Sequence, residues 1–329
     1  MTTIKDVARH ANLGLATVSR YINGGNVRER NKLAIESAIK ELNFEVNDFA
    51  RGLRSKKSLT IGVVIPEISD IFMTTILSYV SDILRTNGYS MIFSDCRSDD
   101  KREHEAIRFL LLKKVDGLIT MPYNQSGSQL KPLIEKKIPI VLIDREIAKF
   151  DNSIHAVLVD NARASEEATQ LLIDAGHRNI GLILGPEQVY TSRQRFLGYR
   201  QALTNSNIPL DMSYVQYTDF RVSSGYERTV HLLSQVKPSA LFTTNYYLTL
   251  GAMMAISDMR LSVPNDIAII GFDNMQASKV LKPQLTLIEQ PFEEIAENAA
   301  EIMLSALSGE LDKSEIRILP TSLHRGESI

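Results

Sequence analysis

Residues 3–23 read TIKDVARHANLGLATVSRYIN, and this stretch holds two short runs of apolar residues at helical spacing. The apolar positions of the first run lie three and four residues apart, which predicts one buried face of a helix. They are Ile4, Val7, Ala8 and Ala11. In the second run Val18 and Ile22 lie one turn apart, and a third run follows at Ile35, Ala38, Ile39 and Leu42. Three short helices with a tight turn at Gly14 predict an all-α helix-turn-helix head over residues 1–45.

The outer face of the second helix carries the chemistry of this head. With its apolar pair directed inward, helical geometry places Leu15, Ala16, Ser19, Arg20 and Asn23 on the opposite stripe. Leu15 and Ala16 can pack on a thymine methyl group, and Arg20 can bond guanine O6 and N7. Thr17 and Tyr21 on the flanks can reach phosphates. The alternative is an ordinary solvated helix face on a small interaction module.

Charge is divided unequally between the head and the rest of the chain. Residues 1–57 hold 11 Lys+Arg and 6 Asp+Glu, a net charge of +5. The whole chain has 37 basic and 39 acidic residues, so the remainder carries −7. A basic head on an acidic body indicates that the head meets a polyanion and that the body does not.

Length and composition exclude several classes of protein. The 329 residues are 44% hydrophobic and 23% charged, which is ordinary for two or three globular domains. No run approaches the roughly 18 apolar residues of a membrane span, and the charged amino terminus lacks a signal-peptide core. We therefore expect a cytoplasmic protein with no membrane partner. The single cysteine, Cys96, is expected to be a small buried residue at a strand end.

Beyond residue 58 the pattern changes to short apolar runs that alternate with helical stretches. The runs are LTIGVVIP, SMIFSD, GLITMP, IPIVLID, AVLVD, NIGLILGP, ALFTTN, AIIGFD and LTLIEQ. Runs of this length, rich in Ile, Leu and Val, are typical of parallel strands with helices on both faces. Because about 270 residues exceed one such sheet, we expect an α/β body of two doubly wound parallel-sheet lobes.

Polar residues follow several of these runs, at the edge where open α/β sheets bind ligands. The candidate binding residues are Asp70, Phe72, Asp144, Arg145, Arg195, Asn245, Asp273 and Gln290. Carboxylates, amides and arginines offer the donors and acceptors that sugar hydroxyls need, and Phe72 can stack on a sugar ring. A structural alternative exists for some of them, since Asp144 and Arg145 could simply pair. By the same reasoning, Asp160 could cap the next helix.

No catalytic motif is visible. The chain has no Gly-x-Gly-x-x-Gly after a strand, no Gly-x-x-x-x-Gly-Lys-Ser/Thr loop and no Gly-x-Ser-x-Gly elbow. The six histidines lack the spacing of metal ligands. We expect no enzyme activity, no cofactor and no metal, although a doubly wound fold alone cannot exclude an enzyme with a DNA-binding head.

The opening stretch resembles the amino-terminal signature of the lac repressor family of bacterial transcription regulators. A second stretch, FARGLRSKKSLTIGVVIPEISDIF at 49–72, resembles that family's hinge and first core strand. The resemblance implies that the second helix reads bases through Leu15, Ala16 and Arg20, and that Thr3 also belongs to the DNA-binding surface. It further implies that residues 46–60 contain a hinge helix, which folds only on operator DNA, and a linker. Leu53 would wedge between base pairs, with Ala50 and Arg54 facing the minor groove.

The body resembles periplasmic ribose-binding proteins, whose fold this family shares. That likeness implies a sugar held by Asp144-Arg145, Arg195, Asn245, Asp273 and Gln290. It also implies an effector-binding domain over 61–329, with one lobe at about 61–161 and 291–320 and the other at about 162–290 and 321–329. Tyr246-Tyr247 depart from the family pattern, in which an acidic residue is common after the asparagine.

The expected function is that of a homodimeric repressor of a sugar-utilisation operon, bound to a palindromic operator in double-stranded DNA. A small sugar or sugar derivative between the lobes would control its affinity for the operator. The alternative is a catabolite-control regulator with a phosphorylated phosphocarrier protein as corepressor. That branch uses arginines on a helix near the carboxyl terminus, whereas FEEIAENAAEIMLSAL at 292–307 carries acidic residues and no Arg or Lys.

Overall fold

The computed structural model describes residues 2–22, 25–44, 57–147, 153–274, 276–280 and 282–329. The chain divides into two compact units, Met1–Ser58 and Leu59–Ile329. The predictions for Asn23, Ala50, Leu53 and Arg54 lie outside the described residues, as does most of the expected hinge at 46–60.

The first unit is the helix-turn-helix head. Its helices are α1 (Ile4–His10), α2 (Leu15–Ile22) and α3 (Glu29–Glu41). A small core joins them, made of Val7, Ala8, Val18, Ile35 and Ala38. The apolar spacing thus predicted which residues face inward, and the expected three-helix head is confirmed. Asp6 Oδ2 fixes the start of α1 because it accepts hydrogen bonds from the Thr3 N–H, at 2.9 Å, and from Thr3 Oγ1, at 2.6 Å.

The second unit begins with a parallel sheet. Its strands are β1 (Thr60–Ile65), β2 (Ser90–Asp95), β3 (Gly117–Thr120), β4 (Ile140–Ile143), β5 (Ile154–Val159) and β11 (Ile316–Leu319). They lie in the order β11-β5-β4-β3-β1-β2 and all pair in parallel. The helices of this N-lobe are α4 (Ile71–Thr86), α5 (Asp100–Leu112), α6 (Lys131–Ile134) and α11 (Phe292–Ser308), with a 3-10 turn at Ser128–Leu130.

A second sheet repeats this topology in the C-lobe. Its strands are β6 (Ile180–Leu184), β7 (Val215–Tyr217), β8 (Ala240–Thr243), β9 (Ala268–Phe272), β10 (Thr286–Glu289) and β12 (Ser322–His324), in the order β12-β10-β9-β8-β6-β7. Its helices are α7 (Asn161–Asp174), α8 (Tyr190–Asn205), α9 (Val222–His231) and α10 (Tyr246–Asp258). Shorter turns lie at Met212–Tyr214, Leu232–Val236 and Gln276–Val280.

Apolar layers cover both faces of each sheet. In the N-lobe, Ile61 and Val63 of β1 pack in one layer, whereas Val64 of the same strand packs in the layer on the other face. The C-lobe sheet is likewise enclosed between two layers. Burial on both faces explains why the central strands read as continuous apolar runs, and the expected pair of doubly wound lobes is confirmed.

Three edge strands escaped the sequence prediction, namely β7, β11 and β12. An edge strand has one strand neighbour and needs fewer apolar residues, and β11 alternates between exposed and half-buried positions. The strand β12 pairs antiparallel with β10. The C-lobe sheet is therefore parallel except for this edge strand, whereas the sequence predicted a wholly parallel sheet. Both β11 and β12 lie after α11, so the chain visits the N-lobe and then the C-lobe a second time.

Two glycines allow neighbouring helices of the C-lobe to approach closely. A Cβ atom at Gly198 of α8 would collide with the backbone oxygen of Ala162 in α7. A Cβ atom at Gly251 of α10 would collide with the backbone oxygen of Val222 in α9. Each helix pair therefore packs backbone against backbone. No helix within the described ranges combines the length and the apolar composition needed to span a bilayer.

Candidate functional site

A cavity of about 680 Å³ lies where the carboxyl ends of the two sheets converge, lined by residues of both lobes. All eight predicted binding residues line it. Asp70, Phe72, Asp144 and Arg145 come from the N-lobe, and Arg195, Asn245, Asp273 and Gln290 come from the C-lobe. The structure therefore brings together side chains that are up to 220 residues apart in the sequence, as the strand-end argument requires.

Arg195 is held firmly by its own lobe. Its Nε donates to Asn161 Oδ1 at 2.7 Å, its Nη1 donates to the Thr244 carbonyl oxygen, and its guanidinium lies 3.8 Å from the Phe272 ring centroid. Burial lowers the pKa of Arg195, and the carboxylates of Asp273 and Asp144 oppose that shift. The position of this cation is thus fixed before any ligand arrives.

The other polar residues of the C-lobe are tied to helix α10. Asn245 Oδ1 caps this helix by accepting from the Leu248 N–H at 2.9 Å. Asp273 Oδ2 accepts from the Tyr246 N–H at 3.0 Å, and Asp273 Oδ1 accepts from Gln290 Nε2 at 2.5 Å. Gln290 Oε1 is buried and has no partner. One acceptor therefore remains available on this side of the cavity.

The N-lobe side has fewer internal bonds. Arg145 Nη1 donates to the Pro122 carbonyl oxygen at 3.2 Å, whereas the buried atoms Arg145 Nε and Asp144 Oδ1 have no partner. Asp144 and Arg145 are both among the described residues, and no ion pair joins them. The alternative that these two residues simply pair with each other is therefore not observed. Asp160 does cap a helix, since its Oδ1 accepts from the Arg163 N–H at 3.1 Å.

Two carboxyl groups that line the cavity from the N-lobe, Asp70 and Asp144, hold protons more tightly than usual. Burial raises the pKa of Asp144 to about 7, against the opposing effect of the guanidinium groups of Arg195 and Arg145. Burial, followed by the nearby Asp273, raises the pKa of Asp70 to about 6. Asp70 also caps α4, accepting from the Phe72 N–H at 3.0 Å. The cavity is thus a desolvated site with carboxyl groups that titrate near neutral pH.

Aromatic side chains complete the cavity. The ring of Phe72 packs edge-to-face on Phe292, with centroids 5.5 Å apart, and the residue is 8% exposed. Phe220 and Tyr247 line the C-lobe side, and Tyr123 lines the N-lobe side. These rings supply apolar surface of the kind that packs against the C–H face of a sugar.

Sequence reasoning missed several lining residues, notably Arg97, Phe220 and Arg221. Phe220 and Arg221 follow β7, whose three residues were too few to be recognised as a strand. Arg97 follows β2 by two residues, and the rule that polar residues gather after strand ends would have found it. Tyr123 lies after β3 in the same way. The unrecognised strand β7 thus explains why Phe220 and Arg221 were missed, whereas Arg97 and Tyr123 follow strands that the sequence did predict.

The residues of the predicted DNA-reading surface on α2 differ in their exposure to solvent. Leu15 is 40% exposed, Ala16 and Arg20 are also exposed, and Thr17 and Ser19 are half-buried. Tyr21 donates its hydroxyl proton to Glu36 Oε1 of α3 at 2.6 Å, so its hydroxyl already has a partner within the head. The base-reading and phosphate-contacting roles of these residues stay predictions.

A helix-turn-helix head followed by a two-lobed α/β unit with a polar cleft is typical of ligand-regulated DNA-binding proteins. Residues 3–47 match the family of bacterial regulatory proteins, lacI family, and residues 169–329 match the periplasmic binding protein-like domain. The chain is 36% identical over 321 residues to catabolite control protein A of Priestia megaterium, which covers 97% of this chain and 96% of that protein.

Two further likenesses extend over nearly the full length. The ribose operon repressor of Escherichia coli strain K12 is 31% identical over 333 residues, covering 100% of both chains. The structure of the lac repressor dimer bound to operator and the anti-inducer ONPF has a TM-score of 0.86 and 26% identity, covering 99% of this chain and 98% of that chain. The chain belongs to the lacI family of bacterial regulatory proteins, and it is a DNA-binding transcriptional repressor with an effector-binding domain.

Proposed function

We propose that the protein represses a sugar-utilisation operon and that a small sugar or sugar derivative in the cleft controls its affinity for the operator. One observation carries the ligand part of this proposal: eight separated side chains meet at one cavity and leave polar atoms free. Asp144 Oδ1 and Gln290 Oε1 are acceptors, whereas Arg145 Nε is a donor. A sugar hydroxyl both donates and accepts, so it can satisfy either kind of atom.

The DNA part rests on the head and on the family. Leu15, Ala16 and Arg20 would contact base edges, while Thr3, Thr17, Ser19 and Tyr21 would contact the backbone. Asn23 and the hinge residues Ala50, Leu53 and Arg54 would extend this surface, with the head at 1–45, the hinge at 46–60 and the effector-binding domain at 61–329. Two copies related by a two-fold axis would read the two halves of a palindromic operator.

The proposal includes the place and mode of action. The protein would act in the cytoplasm as a homodimer, through binding alone, without catalysis, a cofactor or a membrane partner. The support is that the family consists of transcription regulators. The two lobes would close on the effector and change the spacing of the two heads, and a coupling of about 1–3 kcal/mol alters operator affinity about 5- to 150-fold.

A thermal-unfolding screen of the full chain against sugars and sugar derivatives tests the ligand site. A true effector stabilises the protein by about 2.7 kcal/mol at a hundredfold excess over Kd. The variant Asp144→Ala should lose most of this stabilisation, because it removes a buried acceptor that has no protein partner. The matched control is Asp160→Ala, which removes a carboxyl group that caps a helix outside the cavity and should respond to the sugar like the parent. An equal response of Asp144→Ala and the parent to the sugar would contradict the proposed site.

An operator titration at fixed salt tests control by the effector. Each sugar that stabilises the protein should shift the operator Kd, and Leu53→Ala should bind the operator more weakly than the parent. If stabilising sugars leave operator affinity unchanged, control by the effector is refuted even though the cleft binds them. Salt must be held constant, because phosphate contacts make the affinity strongly dependent on salt.

Catabolite control is the second candidate, favoured by the likeness to catabolite control protein A. The charges on α11 oppose it. The exposed face of this helix carries Glu293, Glu294, Glu297 and Glu301. The neighbouring Arg317 is already committed, since it lies 2.7 Å from Glu301 and 2.6 Å from Glu315. A phosphoserine would meet carboxylates on this face, so a phosphorylated carrier protein should leave the operator titration unchanged.

A further inference from the structure

A tyrosine hydroxyl joins the two lobes at the rim of the cleft. Tyr247, the second residue of α10, donates its hydroxyl proton to the Ser69 carbonyl oxygen at 2.5 Å. The hydroxyl oxygen of Tyr247 in turn accepts from the Ile71 N–H at 3.3 Å. Tyr247 belongs to the C-lobe, whereas Ser69 and Ile71 belong to the N-lobe, so one hydroxyl makes both bonds across the cleft.

The N-lobe end of this bridge lies at the start of α4. Ile71 is the first residue of that helix, and its N–H is one of the groups that a helix cannot satisfy internally. Asp70, between the two bridged residues, is the helix cap and lines the cavity. A ligand that contacts Asp70 therefore contacts the residue that holds both ends of the bridge.

The C-lobe end is positioned by cavity residues. Asp273 Oδ2 accepts from the Tyr246 N–H, and Asn245 caps the same helix terminus. The Tyr246 ring lies against Tyr247 edge-to-face, with centroids 5.2 Å apart. The position of Tyr247 thus depends on Asp273, which also bonds Gln290. Ser69 and Tyr247 themselves line the cavity, so both ends of the bridge are within reach of a change in its occupancy.

We propose that Tyr247 is the residue that couples cleft occupancy to lobe closure, because its hydroxyl holds the lobes in the arrangement seen here. This inference rests on the proposed effector cleft and adds the residue that sets its open–closed balance. The hydroxyl acts by joining the lobes, since both of its hydrogen bonds are to the N-lobe backbone. Loss of the hydroxyl should lower the ratio of molecules in the bridged arrangement to molecules in other lobe arrangements about 2- to 10-fold, the net effect of one or two hydrogen bonds.

The distance between the lobes measures this balance directly and needs no effector. Spin labels are attached to Lys136→Cys on the N-lobe and Glu187→Cys on the C-lobe, both at exposed positions. The native Cys96 is fully buried and is not expected to react. Pulsed electron–electron double resonance on the full chain then gives the distribution of distances between the two labels. In Tyr247→Phe, which keeps the ring, this distribution should broaden and shift away from that of the parent.

The matched control is Tyr226→Phe. Tyr226 also lies in the C-lobe, and its hydroxyl donates to Asp258 Oδ2 at 3.0 Å within that lobe. This variant loses a comparable hydrogen bond that does not cross the cleft, so its distances should equal those of the parent. Thermal unfolding of both variants checks that neither change disturbs folding as a whole.

Two results would overturn the inference. One is a distance distribution of Tyr247→Phe that equals that of the parent, and the other is a shift in Tyr226→Phe as large as that in Tyr247→Phe. Either result leaves the proposed effector site standing, because the screen with sugars is a separate measurement. Conversely, failure of every sugar in that screen leaves the effector-free distances and their interpretation intact.

Discussion

The two lobes share one strand order but differ in how far their polar residues are bonded within the lobe. Each sheet places its second, first and third strands side by side and adds a late strand at the far edge. In the C-lobe, Arg195 and Asp273 are bonded to groups of their own lobe, and Gln290 Oε1 is buried without a partner. In the N-lobe, Asp144 and Arg145 keep buried atoms with no partner.

This difference indicates a division of labour within one cleft. The C-lobe presents fixed groups whose geometry does not depend on a ligand, and such preorganisation reduces the cost of binding. The N-lobe presents groups that gain partners only when something enters. The same fold can thus supply a rigid wall, the C-lobe side of the cleft, and a receptive wall, the N-lobe side. The reason is that the sheet fixes the backbone position of each residue but not the partners of its side chain.

The largest expected effect concerns the two arginines. Arg195→Met should lower the free energy of unfolding by about 2–4 kcal/mol, because Asn161 Oδ1 and the Thr244 carbonyl oxygen lose a charged donor in a buried site. The matched variant Arg145→Met removes only one bond to protein, at 3.2 Å, and should cost clearly less. Chemical denaturation at pH 6 compares the two. Equal costs would remove the contrast between the walls.

A medium effect is expected for Asp144 and depends on pH. Its pKa is raised from 3.8 to about 7, so the folded protein favours the protonated form. The stability linked to this proton is complete below pH 3.8 and is lost as the pH rises through about 7. At pH 8, Asp144→Asn should therefore be more stable than the parent by on the order of 2 kcal/mol.

The backbone at this position supports the choice of substitution. Asp144 has φ 58°, a conformation that asparagine adopts readily. Asp160→Asn serves as the control and should gain nothing at pH 8. Thermal unfolding from pH 4 to pH 8 gives the curves of parent and variants, and an advantage of Asp144→Asn over the parent that did not grow over this range would refute the assigned role of burial.

The smallest effect compares two helix caps on opposite walls. Asn245→Ala should cost about 1 kcal/mol, because the Leu248 N–H loses its acceptor. At pH 8, Asp70→Ala should cost less, although Asp70 caps α4 in the same manner. The reason is that burial and Asp273 raise the pKa of Asp70 to about 6, so its ionised form is disfavoured. A cost for Asp70→Ala at pH 8 that equals or exceeds that of Asn245→Ala would contradict the contrast between the two walls.

Much of the fold followed from local patterns. The helical spacing of Val7, Val18 and Ile35 predicted the core of the head, and continuous apolar runs predicted the central strands, because burial on both faces demands apolar residues throughout. The strands at the sheet edges did not follow, since β7 and β12 have three residues each and little apolar content. With β7 the sequence also lost Phe220 and Arg221 from the cavity.

The sequence by itself determined which residues could meet: acidic, amide and basic side chains placed after strand ends must share one edge of a sheet. It also determined the basic, short-helix head. Only the tertiary structure decided which of these side chains are satisfied by their neighbours and which remain free. Asp144 and Arg145 are adjacent in the sequence yet do not pair, while Tyr247 bonds residues 176 and 178 positions away. Hydrogen bonds depend on distances of a few tenths of an ångström between atoms, and those are set by the packing of whole lobes.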